Sequence, residues 1–489
     1  MLPVRWLPWS AGAFERARTE HKPVLLSIGA PWCRWCGEMD RTSYADPAIV
    51  SVIHDRFVPV RVDADRRPDI SERYALGGWP TTAFLTGDGE VLGGGTYVPH
   101  ESMAGILDRV TSAFATRGDE IAQRSGTLIP GDQPDAHAPV LSRETLLKSV
   151  YATYDAEHGG FGAAAKFPIT APLQLALEMH RDTGDRRMAE IATVTLDAMG
   201  WGALYDEIDG GFFRCAATRE WQAPHREKLL EVNASLLGLY LDASETLGIT
   251  RFQERAADVI RYVQTWLADP VDGGWGGSQH ADDAYYDAST HETRRALVAP
   301  AVDRVLFTGW NASMVSAALH AARVFEDDGF RDFALTSLER VVLACYRPGG
   351  GVAHFFEGEA HVRGLLDDQI AMATANLDAF EVTGNVVYEM MAQELGHYAI
   401  RVLWDEERGG FCDSLAPEDD AVGLMRRRLR PFAANCEAAR LFRRLASTSG
   451  GEEFAERAEA TLAAVAPLAS SQGPLAAHYL LALREPEVR

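Results

Sequence analysis

"LLSIGAPWCRWCGEM", residues 25–39, is where the fold is decided. An apolar run ends in Cys33-Arg34-Trp35-Cys36, in a chain that carries 6 cysteines in all. Upstream, "AFERARTEHKP" (13–23) has helical spacing and stops at Pro23. "VLLSIG" (24–29) reads as a short apolar strand, and the CxxC then opens a helical stretch reaching about His54. "FVPVRVDAD" (57–65) is the next strand, and residues 69–74 read as a helix. Residues 82–85 and 90–92 read as two strands joined by the Gly87-Asp88-Gly89 turn.

That order, β-α(CxxC)-β-α-β-β-α, is the thioredoxin arrangement, and a CxxC beside a βαβ pattern signals redox chemistry. A helix beginning just after Cys33 presents free backbone N–H groups that favour the thiolate, which makes Cys33 the nucleophile. Cys36 then resolves the mixed disulfide. Trp79-Pro80 stands where such folds place a cis-proline facing the CxxC. Two other readings stay open, a purely structural CxxC and half of a zinc site. The second needs further ligands, and Cys215, Cys345, Cys412 and Cys436 are mutually isolated. Those four are expected to be buried core thiols.

With 489 residues, 47% of them hydrophobic, the chain can bury large cores and splits into more than one domain. The first residues show no unbroken apolar h-region, and no apolar run approaches the roughly 18 residues of a membrane span. A formal charge of −23 argues against nonspecific nucleic-acid binding, which needs a basic face. Few, scattered cysteines suit a reducing compartment, and a cytoplasmic location is expected.

Composition shifts at "RSGTLIPGDQPDAHAP" (124–139), which reads as a linker. The expected division is a thioredoxin-like domain over 1–123, a linker over 124–140 and a second domain over 141–489. In that domain one phrase recurs: "YDAEHGGFG" (154–162), "YDEIDGGFFR" (205–214), "LADPVDGGWGG" (267–277) and "LWDEERGGFCD" (403–413), with a weaker copy in "YRPGGGVAHFF" (346–356). Copies stand roughly 50 to 75 residues apart, room for two helices and a loop. Helical patterns fill the gaps at 142–154, 171–182, 186–204, 227–247, 251–268, 309–326, 330–346, 366–384, 386–404, 433–447, 452–468 and 474–484. About twelve helices in hairpins that close into a ring make an all-α (α/α)6 toroid, six-hairpin glycosidase-like. The glycines of the phrase end helices and set an aromatic at one rim.

Several stretches carry more polar groups than packing needs. "QAPHREKLLEVNASLLGLYLDA" supplies His225, Glu227, Lys228 and Asn233 at the mouth of a helix. "VDRVLFTGWNASMVSAAL" supplies Asp303, Trp310 and Asn311, and "HVRGLLDDQIAMATANLDAF" supplies Asp367 and Asp368. "AAAKFPIT" adds Lys166 and Phe167, and "GGVAHFFEGE" adds His354 and Glu357. Carboxylates, histidines and tryptophans at helix starts around a ring suit a sugar site, with His225 and His354 eligible as an acid–base pair. Each residue alone has an ordinary structural reading too, as a helix-start charge or a satisfied rim histidine.

Through "KPVLLSIGAPWCRWCGEM", "VRVDADRRPDI", "GGWPTTAFLTGDGEVLGGGTYVP", "GGFGAAAKFP", "PHREKLL", "VLFTGWNASMVSAAL" and "LLDDQIAM", the chain resembles the thioredoxin-domain family typified by spermatogenesis-associated protein 20 (DUF255). The resemblance implies a thioredoxin-like domain fused to a toroid similar to six-hairpin glycosidases and N-acylglucosamine 2-epimerases. It does not supply a reaction. Where the family has C-H-W-C-H, this chain has Arg34 and Gly37, and its "PHFEKMLYDNA" is "PHREKLLEVNA" here. The segment between Gly277 and Val305 is shorter and different, so one rim of the toroid is remodelled.

Three functions follow as expectations. The first is a thiol-disulfide oxidoreductase working through Cys33 and Cys36, with Trp79 and Pro80 in its site and the toroid binding a substrate or a disulfide client protein. The second is a carbohydrate-active epimerase or hydrolase with an accessory thioredoxin domain. The third is a binding scaffold for a sugar or peptide. No cofactor or metal is expected, and no nucleic-acid or membrane partner.

Overall fold

The computed structural model describes residues 3–125, 141–449 and 451–484. The chain divides into two compact units, one of Met1–Asp132 with Ala416–Leu429, the other of Gln133–Leu415 with Arg430–Arg489. Beyond its first two positions, which close a helix, the expected 124–140 linker lies outside the described residues.

The first unit is a thioredoxin-like α/β sandwich. Its elements are β1 (Leu7–Pro8), α1 (Ala11–Thr19), β2 (Val24–Gly29), α2 (Arg34–Arg41), α3 (Pro47–Arg56), β3 (Val58–Asp63), α4 (Pro68–Tyr74), β4 (Thr81–Leu85), β5 (Val91–Gly95) and α5 (His100–Ser125). The sheet runs β1-β3-β2-β4-β5, with β2 parallel to β3 and antiparallel to β4. Central strands buried on both faces need apolar side chains at every position, which is why "VLLSIG" lacks alternation. Leu26 and Ile28 pack toward Phe14, Ile70 and Tyr74 on one face, and Leu25 packs toward Ile49, Ile53 and Leu107 on the other.

Two features differ from expectation. The helical stretch after the CxxC is broken in two, because Asp46 caps a new helix by accepting from the Ala48 and Ile49 N–H groups and Pro47 opens it. Residues 416–429, which the sequence reading left inside the second domain, pack with the first unit and place Val422 and Leu424 in the core beside Tyr74.

The second unit is an (α/α)6 toroid. Six inner helices, Ala171–Thr183, Leu230–Leu247, Thr308–Phe325, Leu366–Thr383, Phe432–Ser449 and Ala477–Ala482, pack each on the next, and the last packs on the first. Six outer helices back them: Arg186–Gly200, Thr250–Tyr262, Asp328–Cys345, Val386–Leu403, Glu452–Val465 and Arg143–Val150. Buried alanines such as Ala312, Ala318, Ala373, Ala375 and Ala438 let neighbouring inner helices approach closely. Three inner helices end in a left-handed glycine, Gly184, Gly248 or Gly384.

Candidate functional sites

In the first unit, Cys33 and Cys36 form a disulfide. Cys33 is the N-cap of α2, and the Cys36 N–H donates to its Sγ at 3.3 Å. The Trp79–Pro80 peptide is cis. Antiparallel pairing of Thr81 with Ile28 brings Pro80 to the end of β2, at Gly29. A Cβ on Gly29 would meet Cys36 Sγ at 2.8 Å, so only glycine leaves room for the disulfide there. Trp32 is buried behind the pair, donates Nε1–H to Asp65 and stands edge-on to Trp79 at 5.8 Å. Trp35, Leu76 and Trp79 remain exposed. The other four cysteines, Cys215, Cys345, Cys412 and Cys436, are buried and lie outside any disulfide. Among the described residues, no group of three or more His, Cys, Asp or Glu side chains is placed to hold a metal ion.

In the second unit the structure first withdraws four candidates. The four full copies of the recurring phrase fold into the same turn, while the weaker copy at 346–356 forms a β-hairpin. The aspartates Asp155, Asp206, Asp269 and Asp405 accept from backbone N–H groups two or three residues on, and the paired glycines take φ between 70° and 82°. Three of these turns, those of Asp155, Asp206 and Asp269, are then locked by a cation. Lys166 Nζ donates to Asp155 Oδ2 and the Gly159 carbonyl, and Lys228 Nζ to Asp206 Oδ2 and the Gly210 carbonyl. Arg340 repeats the pattern on Asp269 and Gly273. Lys166 and Lys228 are fully buried, so they are turn locks and not ligand contacts.

Asn233 and Asn311 are corrected in the same way. Each is the fourth residue of an inner helix and clamps the aromatic residue of a turn. Asn233 accepts from the Phe212 N–H and donates to the Phe212 carbonyl, and Asn311 does the same with Trp275. Gln369 clamps Val352 and Asn435 clamps Phe411 at the equivalent helix positions. Buried amides whose oxygen and nitrogen are both engaged serve the framework.

His225 and Glu227 form a cluster of their own. Glu227 is buried and accepts from Arg214 Nε at 2.5 Å, and His225 Nδ1 lies 3.4 Å from Arg214 Nη2 and 4.0 Å from Glu227 Oε1. His225 thus stands with Arg214 and Glu227, whereas His354 stands with Asp368 and Phe307. Asp303 serves a local turn by accepting from the Val305 N–H. Glu357 is exposed on a hairpin, and Phe167 is exposed as well.

The remaining candidates come together where three consecutive inner helices begin. Asp368 accepts the Gly309 N–H at 3.0 Å through Oδ1 and binds His354 Nδ1 at 2.9 Å through Oδ2, and both side chains are buried. Phe307 lies 5.6 Å from the His354 ring and 4.6 Å from half-buried Trp310, which builds an aromatic wall. Asp367 opens to solvent yet is enclosed by protein at short range. That loss of bulk water, with the charges of Asp368, Glu231 and Asp413, pushes its pKa up to about 7. Glu231 is also open to solvent, and desolvation raises its pKa while His354 opposes the rise.

Sequence reasoning missed Glu231 and Asp413. Glu231 stands in the first turn of its helix and reads as a dipole-favoured charge, and only ring closure puts it next to Asp367. The remodelled segment between Gly277 and Val305 supplies Arg294, which binds Asp206 at 2.7 Å and Asp209 at 2.9 Å.

With this geometry in hand, the relatives can be placed. Residues 1–130 match the family model described as a protein of unknown function, DUF255 (Thioredox_DsbH). The DUF255 match thus covers the thioredoxin-like part of the chain. The chain is 30% identical to human spermatogenesis-associated protein 20 over 339 residues, 61% of this chain and 43% of that protein. It therefore spans under half the length of the curated relatives it matches first. The DUF255 domain is also 35% identical over 66 residues to protein disulfide isomerase-like 2-2 of Oryza sativa, 14% of this chain and 18% of that one. The toroid superposes on cellobiose 2-epimerase from Bacillus thermoamylovorans with a TM-score of 0.53 and 13% identity, covering 66% of this chain and 86% of the other. At that identity the likeness speaks for the fold alone. No described helix is long and apolar enough to cross a membrane.

Proposed function

We propose that the protein is a thiol–disulfide oxidoreductase acting through its DUF255 domain. One observation carries the reading: Cys33 is the N-cap of α2 and is bonded to Cys36. In the reduced form, the free N–H groups of that helix start favour a Cys33 thiolate. The thiolate attacks a client disulfide and releases one client thiol. Cys36 then attacks the Cys33 sulfur, which frees the reduced client and closes the Cys33–Cys36 bond. Two electrons pass to the client, and an external dithiol reductant restores the pair. Exposed Trp35, Leu76 and Trp79 offer an apolar landing for a polypeptide client. The four buried cysteines outside the disulfide suit a reducing, cytoplasmic setting. The test is catalysed reduction of insulin by dithiothreitol. Cys33→Ser abolishes it, and Cys36→Ser accumulates a mixed disulfide. Equal rates in all three proteins would end the reading.

A second reading is favoured by the cluster where three inner helices begin. His354 oriented by Asp368, beside an Asp367 that holds its proton near neutral pH, is an acid–base constellation against an aromatic wall. This supports a small sugar as the toroid's ligand, as the first reading also allows. Calorimetric titration with neutral mono- and disaccharides tests it. Heat of binding that is lost in Asp367→Asn is expected, and no binding of any sugar would remove it.

A further inference from the structure

Strand β5 closes one side of the sheet and, among the described residues, pairs with β4 alone. It ends in three glycines, Gly93, Gly94 and Gly95. Gly95 pairs with Thr82 and Gly93 with Phe84, so these four residues share one face of the sheet. A Cβ on Gly94 would strike Leu76 and the β4 backbone on the other face, whereas a Cβ on Gly93 or Gly95 would meet nothing within 4 Å. The missing side chains leave a cavity of about 490 Å³ between β5 and α5, walled by Phe84, Leu92, Tyr97, Ile106, Val110 and Phe114. Protein interiors are ordinarily packed without such voids, and glycines inside a strand mark a close approach by a ligand or another backbone. The wall is continuous with the redox surface, because Tyr97 stands edge-on at 5.1 Å to Trp35, which lies between the two cysteines. Gly93 and Gly94 are exposed, which leaves the outward backbone of β5 open to a further strand.

We propose that the β5 edge and this cavity dock an extended segment of the polypeptide client. The inference rests on the oxidoreductase reading above and states how that client is held. The segment adds to the five-stranded sheet beside β5, whose outward N–H and C=O groups supply the hydrogen bonds. Client residues opposite Gly93 and Gly95 share their face, and one large apolar side chain there fills the cavity. The site suits a peptide chain better than a small apolar molecule. Half of it is strand backbone, the other half takes the side chains of one strand face, and its wall leads to Trp35 and the disulfide. Desolvation disfavours a charged side chain inside the cavity. Arg109, exposed at the rim, suits an acidic residue beside the apolar one.

The test measures, by fluorescence anisotropy, binding of the full chain to a labelled cysteine-free peptide that alternates Thr and Val around a central Phe. Replacing that Phe by Gly, or N-methylating the amides along one edge of the peptide, is expected to weaken binding. Gly95→Ile and Ala113→Trp fill the cavity from the strand and from the helix, and each should raise Kd about 10- to 100-fold. Thermal melts verify that the variants fold, and either one suffices. Equal affinity in wild type and a folded variant, or no binding to wild type, would overturn the docking site. Binding that survives N-methylation would overturn strand addition and leave a pocket for small apolar molecules. Insulin reduction without peptide binding would remove the docking site alone. Peptide binding without insulin reduction would remove the oxidoreductase reading and leave a peptide site.

Discussion

The side-chain amide of Asn311 and the backbone of Trp275 are joined twice, Trp275 N–H to Oδ1 at 2.8 Å and Nδ2 to the Trp275 carbonyl at 3.0 Å. Truncation of Asn311 leaves two buried backbone groups without partners. Asn311→Ala is expected to destabilise the toroid by roughly 2–4 kcal/mol, since each orphaned group costs about 1–3 kcal/mol. Urea unfolding of wild type and variant measures the difference, and a change below about 1 kcal/mol would refute the clamp.

Lys228 makes the corresponding prediction for the turn locks. It is fully buried between Asp206 and the Gly210 carbonyl, with Arg294 on the same carboxylate. Lys228→Met leaves that carboxylate only partly compensated, at an expected cost of about 3–5 kcal/mol. A thermal melt that matches wild type would return Lys228 to the list of ligand contacts.

Asp367 makes stability depend on pH in a defined direction. Its folded pKa of about 7 lies above the ordinary value of 3.8. Between those values the folded chain keeps a proton that the unfolded chain has lost, so this group's contribution falls as pH rises through the window. Asp367→Asn abolishes the fall. The variant should melt above wild type at pH 8, and the gap should close below about pH 4. A gap that is constant across the window would mean that Asp367 titrates normally.

The segment Ala416–Leu429 completes the first unit. Tyr74 Oη accepts the Leu424 N–H at 2.8 Å and donates to the Gly89 carbonyl at 2.9 Å, and Arg73 donates to the Leu424 and Arg427 carbonyls. Gly423 has φ of 55°, and a Cβ there would strike Tyr74 Oη and the Gly89 carbonyl. Leu424→Ala should cost about 2–3 kcal/mol. Limited proteolysis should cut within 416–429 faster in Leu424→Ala and Gly423→Ala than in wild type. Unchanged cleavage would show that the segment is not held there.

Where periodicity is local, the sequence was readable. The thioredoxin order came from apolar strands and a CxxC placed at a helix start, and the twelve toroid helices from their spacing between repeated turns. What failed depended on distant partners. Lys228 and Asn233 looked like rim chemistry because nothing local shows that Asp206, Gly210 and Phe212 consume them. Glu231 looked like a helix-start charge until ring closure brought it to Asp367. Val422 and Leu424 sit in a polar loop whose apolar partner, Tyr74, lies about 350 residues away in the chain.

The most direct test of the central claim is the pH dependence of Cys33 alkylation by iodoacetamide in the reduced protein, with Cys33→Ser as the blank. A redox-active helix-cap cysteine is expected to react as a thiolate with a pKa well below the free-cysteine value of about 8.5. A midpoint at or above that value, or no alkylation once the pair is reduced, would contradict a working dithiol in the DUF255 domain.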